Sequence, residues 1–345
     1  MGLFNLKVSD KNHFVEIDGI RGICAILLLV YHYTSYIYGM KGEHDWFLDM
    51  MDYGKYGVHF FFVISGFLIF MTLEKAKQPR DFIISRFSRL YPGYWVCMTL
   101  TTLVVGLSAF YNYHPVTTSR FLANLTMFQH WMSIEDIDGV YWTLAVELCF
   151  YVLIFSVFVF KQQKNIERIG VIWLILMVAV FYLEKYKVLP EINFYYYLPL
   201  LRNGTLFFGG ILFYQLKNNN TDKRKYILLL LTLIVHFIIN STEETIVILL
   251  VYIILFLFVI NKLKFMRGKF FYFIGIISYA LYLLHQYIGY EIINYLNSFG
   301  ITNMLLLIII TGLLIVILAS LVAFGVERPM MRLIRGRYKG MSAKN

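Results

Sequence analysis

The sequence predicts an all-α integral membrane protein, a bundle of about ten transmembrane helices with both termini in the cytoplasm. Two observations carry this. Of 345 residues 59% are hydrophobic and only 15% charged, against about 25% charged in a globular domain, so the chain lacks the polar surface to cover itself in water. The basic residues also alternate along the chain. With the N-terminus inside, 24 of the 31 Lys and Arg fall on cytoplasmic segments and five on outer ones, the asymmetry that orients membrane proteins.

A spanning helix takes about 20 mostly apolar residues, fewer where flanking side chains snorkel. On that measure the spans run roughly over 17–38, 56–74, 90–110, 141–160, 169–184, 199–216, 226–240, 245–260, 270–290 and 301–325. Residues 1–13 are polar and no small-residue cleavage site follows the first apolar run, so no removable signal is expected. Glu43, Asp45, Asp49 and Asp52 mark the first outer connection, and the basic stretch 75–89 the return to the cytoplasm. The longest outer segment, 111–140, carries Glu135, Asp136 and Asp138 and reads as holding an interfacial or re-entrant helix around Phe121–Met132. Basic clusters at 161–168, 217–225 and 262–269 separate the later pairs of spans, and Tyr195, Tyr196 and Tyr197 sit where an interfacial aromatic belt belongs. There is no tandem repeat, low-complexity tract or appended soluble domain, so 1–345 reads as a single membrane domain.

The net charge of +10 is accounted for by topology and does not indicate nucleic acid. Cys24, Cys97 and Cys149 lie within apolar runs and show no paired spacing. Neither a disulfide framework nor a metal site is expected.

Ionisable groups inside spans are costly and mark function or a bundle interior. The first span holds Asp18, Arg21 and His32. Arg21 and His32 are eleven residues apart, close to a whole number of helical turns, so they share a face about 16 Å apart along the axis. Glu147 lies a short way in from the outer end of the fourth span, and His285 well in from the cytoplasmic end of the ninth. His32, Glu147 and His285 therefore fall at a similar depth in the outer half. A neutral histidine can take a proton from an alcohol and a carboxylate can orient the ring, so the trio suits a hydroxyl-activating site. A hydrogen-bond network that only ties helices together fits the same residues. On the cytoplasmic side Arg86 and Arg89 stand at i and i+3, a geometry that clamps phosphates and equally that of ordinary basic topology and lipid contact.

These residues resemble acyltransferase family 3, the bacterial membrane O-acyltransferases that modify surface glycans. The resemblance runs through Ile17-Asp18-Gly-Ile-Arg21-Gly with Arg21 and His32 in an Arg-x10-His arrangement, then Gly57-Val-His-Phe-Phe-Phe-Val-Ile-Ser65-Gly66. It continues through Arg86-x-x-Arg89-x-Tyr-Pro-x-Tyr94-Trp, Tyr141-Trp142-Thr143-Leu-Ala-Val-Glu147, Ser278 through Tyr282 to His285, and Glu327-Arg328-Pro329. His59 departs from the family, which usually has Asp or another small polar residue there, and Thr143 replaces a serine. With no room for the C-terminal hydrolase-like domain of many relatives, the chain is expected among the stand-alone members.

The resemblance implies transfer of an acyl group, commonly acetyl from cytoplasmic acetyl-CoA, to a hydroxyl of an extracytoplasmic acceptor such as O-antigen or capsule. It further implies a multi-pass protein of the bacterial inner membrane with no permanently bound cofactor. His32 is then the expected base, Glu147 the group that orients or charges it, and His285 a second polar contact or proton acceptor. Arg21, Arg86 and Arg89 are expected to bind the donor, with Asp18, Ser65, Tyr94, Trp142, Ser278 and Tyr282 in support. Sequential and ping-pong routes both fit. The rival expectation from another class is a proton-coupled transporter or flippase of a glycan or lipid intermediate, although the internal symmetry common in such folds is missing.

Overall fold

Long apolar runs with no water to satisfy their peptide groups must pair those groups within the run, and helices do so. The structure, a computed structural model, describes residues 14–41, 46–108, 116–188, 194–219 and 221–342. Among these there is no strand. The helices in order are α1 (Val15–Lys41), α2 (Trp46–Asp52), α3 (Gly57–Lys75), α4 (Pro79–Leu107), α5 (Thr118–Leu125), α6 (Trp142–Val159), α7 (Ile166–Lys185) and α8 (Phe194–Tyr197). They continue with α9 (Leu200–Asn218), α10 (Lys223–Ile239), α11 (Thr242–Val259), α12 (Lys269–Leu284), α13 (Tyr287–Ser298), α14 (Met304–Val322) and α15 (Arg328–Ser342).

Each expected span coincides with a helix, or in the ninth case with a pair. Among the described residues six helical stretches are long and apolar enough to cross a membrane, seven if the bent pair α12 and α13 is one span. Three boundaries differ from the hydropathy ruler. The third span is the C-terminal part of α4, which starts at Pro79, so Arg86 and Arg89 lie within the helix; its expected outer end at 109–110 lies outside the described residues. The ninth span breaks after Leu284 with a 75° bend. The tenth passes through a π-helical turn, Ala323–Glu327, into α15. The polar 1–13 and the acidic Glu43 and Asp45 also lie outside the described residues. Where an interfacial or re-entrant helix is expected lies α5, followed by a short 3-10 turn, Gln129–Met132.

The described residues fall into two compact units. One takes them from Met1–Gly57, Ile83–Trp142 and Met266–Asn345. Its centre is α1 against α12, brought close by small residues: a Cβ on Gly22 would meet Ile274 at 2.4 Å, and one on Gly275 would meet Asp18 at 2.5 Å. Ile17, Ala25 and Tyr33 of α1 and Ile277, Leu281 and Leu283 of α12 are fully buried there. α14 packs with Leu307, Thr311, Ile315 and Ala319 inward and leaves Leu305, Ile309, Leu313, Ile317 and Leu321 exposed. An uncharged, leucine-rich outer stripe at four-residue spacing is a lipid-facing surface.

The other unit takes Val58–Phe82 and Thr143–Phe265. Here α9 is buried from Gly204 to Tyr214, and α3 crosses it where Gly66 and Gly210 allow backbone contact. A Cβ on Gly66 would lie 2.1 Å from the Phe207 carbonyl oxygen, and one on Gly210 2.0 Å from that of Val63. Gly66→Ala or Gly210→Ala must therefore push α3 and α9 apart, at a cost of about 1–3 kcal/mol each. The expected result is a lowered melting temperature in detergent for either variant, while Gly106→Ala, with open space around it, melts like the wild type.

Candidate active site

The first unit places His32 beside His285, their ring centroids 5.1 Å apart. His32 projects from the middle of α1, and Tyr290 of α13 reaches its Nδ1 at 3.3 Å. Tyr290 is itself fixed by stacking on Tyr36 at 4.0 Å, and Tyr36 donates to the Asn294 side chain at 3.1 Å. Tyr36 follows His32 by four residues, and Tyr290 and Asn294 have the same spacing, so two helix faces meet along one ladder of side chains. α13 approaches this closely because of Gly289, where a Cβ would strike the Tyr33 hydroxyl at 2.3 Å.

His285 sits at the break between α12 and α13 and is fully buried. Its Nδ1 is 2.8 Å from the Tyr282 carbonyl, which can only accept, so Nδ1 carries the proton and Nε2 the lone pair. That Nε2 is buried with no hydrogen-bond partner among the described residues. The His285 carbonyl accepts from the Tyr33 hydroxyl at 2.9 Å, which compensates for the interrupted helix.

The break is held from outside by Asp138. One carboxylate oxygen accepts from the Val140 amide, and the other from the Tyr287 amide at the start of α13, both at 3.2 Å. Burial pushes the Asp138 carboxyl up from its ordinary 3.8 to about 7; the two amides oppose the shift and Asp136 adds to it. The sign follows: the fold holds the proton more tightly than the unfolded chain, so stability falls as pH rises between 3.8 and about 7 and is flat above. Melting temperatures taken across that window should decline for the wild type and lose that component in Asp138→Asn.

The arginines assemble in the same unit. Arg21 faces Asp18 at 3.9 Å, Arg86 reaches the Ser85 hydroxyl at 3.3 Å, and Arg89 pairs with Glu327, which is 1% exposed. Arg89 also lies over the Tyr279 ring at 5.4 Å. The supporting residues have structural partners. Tyr94 donates to the Asn124 carbonyl at 2.8 Å and so anchors α5; Tyr282 donates to the Val140 carbonyl at 3.2 Å; Ser278 bonds back to Gly275 at 2.8 Å. Trp142 is exposed at the first position of α6.

Glu147 and Ser65 belong to the second unit. There the carboxylate accepts from the Ser65 and Tyr151 hydroxyls, each at 2.8 Å. The same unit gives His59 a carboxylate neighbour, Glu244 at 2.8 Å, with His236 on the same oxygen at 3.6 Å and on Thr205 at 2.9 Å. Sequence reasoning missed Tyr290, Asp138 and the Arg89–Glu327 pair; only Glu327 carried a signal, its place in Glu-Arg-Pro.

Residues 14–325 match the family described as acyltransferase domain, acyltransferase family 3. Nodulation protein 10 of Rhizobium leguminosarum bv. viciae is 26% identical over 170 residues, 41% of this chain and 43% of its own length. The peptidoglycan O-acetyltransferase of Listeria monocytogenes is 28% identical over 180 residues, 45% of this chain and 26% of its own. An O-acetyl transferase of Shigella phage Sf6 is 27% identical over 149 residues, 39% of this chain and 43% of its own. The chain thus spans less than half the length of these relatives. No solved structure matches it.

Proposed function

The chain belongs to acyltransferase family 3, and from that premise we propose that it is a membrane O-acyltransferase moving an acyl group, most commonly acetyl, from cytoplasmic acyl-CoA to a hydroxyl of an extracytoplasmic glycan. The observation that carries the reading is the His32–His285 pair at a broken helix, with Tyr290 on Nδ1 of His32. In the tautomer that donates Nδ1–H to Tyr290, Nε2 of His32 bears the lone pair and serves as the base.

In the proposed step Nε2 takes the proton of the acceptor hydroxyl as its oxygen attacks the thioester carbonyl carbon. The new C–O bond forms, the C–S bond breaks, and the thiolate of CoA leaves and recovers the proton from the imidazolium. His285, with its own lone pair on Nε2, lies beside the His32 ring and holds that same proton between its removal from the hydroxyl and its return to the thiolate. Arg21 lies on the same face of α1 about 16 Å away, the order of an extended pantetheine arm, and Arg86 binds a phosphate at the cytoplasmic end. The peptidoglycan O-acetyltransferase among the relatives supports a glycan acceptor.

The test is CoA release from acetyl-CoA by the purified protein in detergent, with total cell-envelope glycan as acceptor. Release that depends on the acceptor supports the reading. The break at His285 also favours a transporter, because discontinuous helices build binding sites in such proteins. Folded protein that released no CoA from any acyl-CoA would move that second reading to the front.

A further inference from the structure

The last helix, α15, is amphipathic and basic, with Arg328, Arg332 and Arg335 at i, i+4 and i+7 along one side. A basic helix after the last span is expected to lie on anionic lipid. Arg335 instead turns inward. Its Nε donates to the Ser88 hydroxyl at 2.9 Å and its Nη2 to the Ser85 carbonyl at 3.1 Å. Ser88 is fully buried and its hydroxyl donates to the same Ser85 carbonyl at 3.2 Å. Arg86 reaches the Ser85 hydroxyl at 3.3 Å. Two guanidinium groups, one from α4 and one from α15, thus converge on one serine.

The hydrogen bonds of Arg335 go to uncharged oxygens, while the carboxylate of Glu327, eight residues earlier, is engaged by Arg89. Two like charges on one turn repel each other, and an anion seated between them relieves that repulsion. Arg335 keeps some exposure, so the guanidinium N–H groups it leaves unused are reachable. A planar fork held by its Nε and one Nη still offers donors at the other Nη, in the geometry that suits a phosphate.

We propose that Arg335 is a third donor-binding arginine, which with Arg86 takes a phosphate of the acyl-CoA nucleotide over the Ser85–Ser88 turn. This rests on the acyl-CoA reading. It makes α15 part of the donor site and leaves Arg89 to hold Glu327.

The experiment compares acetyl-CoA with acetyl-pantetheine, which has the same thioester arm and no phosphate, using the full chain in detergent. Arg335→Ala should raise KM for acetyl-CoA about tenfold, the size of one charge-assisted contact, with little change in kcat or in KM for acetyl-pantetheine. Arg335→Lys should recover part of the loss. Equal changes with both donors would make Arg335 a clip that holds α15 and overturn the proposal. A shift seen only in vesicles containing phosphatidylglycerol, and not in phosphatidylcholine alone, would assign the phosphate to a lipid headgroup and overturn it as well. Wild-type protein inactive with every acyl-CoA would sink the underlying reading, whereas an active wild type with an unaltered Arg335→Ala would sink this inference alone.

Discussion

His32→Ala is expected to remove acyl transfer, with kcat falling by about 10²–10⁴-fold, while the protein still inserts, purifies as a single species and melts close to the wild type. Stability should survive because the imidazole is only partly buried and its one hydrogen bond among the described residues, to Tyr290 at 3.3 Å, is long. The reaction has no substitute at that place. His285 also has a lone pair on Nε2, but its ring is fully buried and its Nδ1 is committed to the Tyr282 carbonyl. It can receive a proton from a neighbour but not meet a glycan hydroxyl. Tyr290→Phe separates positioning from chemistry. It deletes the oxygen on Nδ1 and leaves the stacking on Tyr36, so kcat should drop about tenfold, the size of one hydrogen bond, with donor KM unchanged. A His32→Ala protein retaining substantial turnover would dismiss His32 as the base, and a matching loss in His285→Ala would move the role there.

What the sequence could and could not disclose here has a physical pattern. A charge or histidine inside an apolar run stands out because its burial must be compensated, so Arg21, His32, Glu147 and His285 were visible as soon as the spans were drawn. Their partners were not. Depth sets Glu147 level with the histidines and names no contact; within its own unit the groups that meet its carboxylate are Ser65 and Tyr151. Tyr290 is one of 27 tyrosines, most of which serve as amphipathic filler, and Asp138 looked like any acidic outer-loop residue. The break at Leu284-His285-Gln286-Tyr287 contains neither Pro nor Gly, the residues that ordinarily announce one; its causes are the Asp138 cap and the Tyr33 hydroxyl, both distant in sequence. The early start of α4 was legible, since Pro79 at its first position is a standard helix opening. A ruler of hydropathy alone passed over it, because Arg80, Arg86 and Arg89 make those turns polar.

Arg89→Ala should be the most damaging change among the arginines of the first unit, and for a reason other than donor binding. Glu327 is 1% exposed and Arg89 is its partner; removing the arginine strands a buried carboxylate, which costs about 3–5 kcal/mol. The single variant is expected to express poorly and melt early. Arg89→Ala with Glu327→Gln removes both charges and should restore folding, since losing a buried pair outright is often close to neutral. The double variant then addresses what the single one confounds. If Arg89 only holds Glu327, and through it the turn that leads into α15, the refolded double variant uses acetyl-CoA with a wild-type KM. A KM raised about tenfold in a double variant of normal stability would instead give Arg89 a donor phosphate of its own. Because both charges are removed together, a residual loss of donor use cannot be blamed on an orphaned carboxylate, and the stability measurement tells the two roles apart before any kinetics are run.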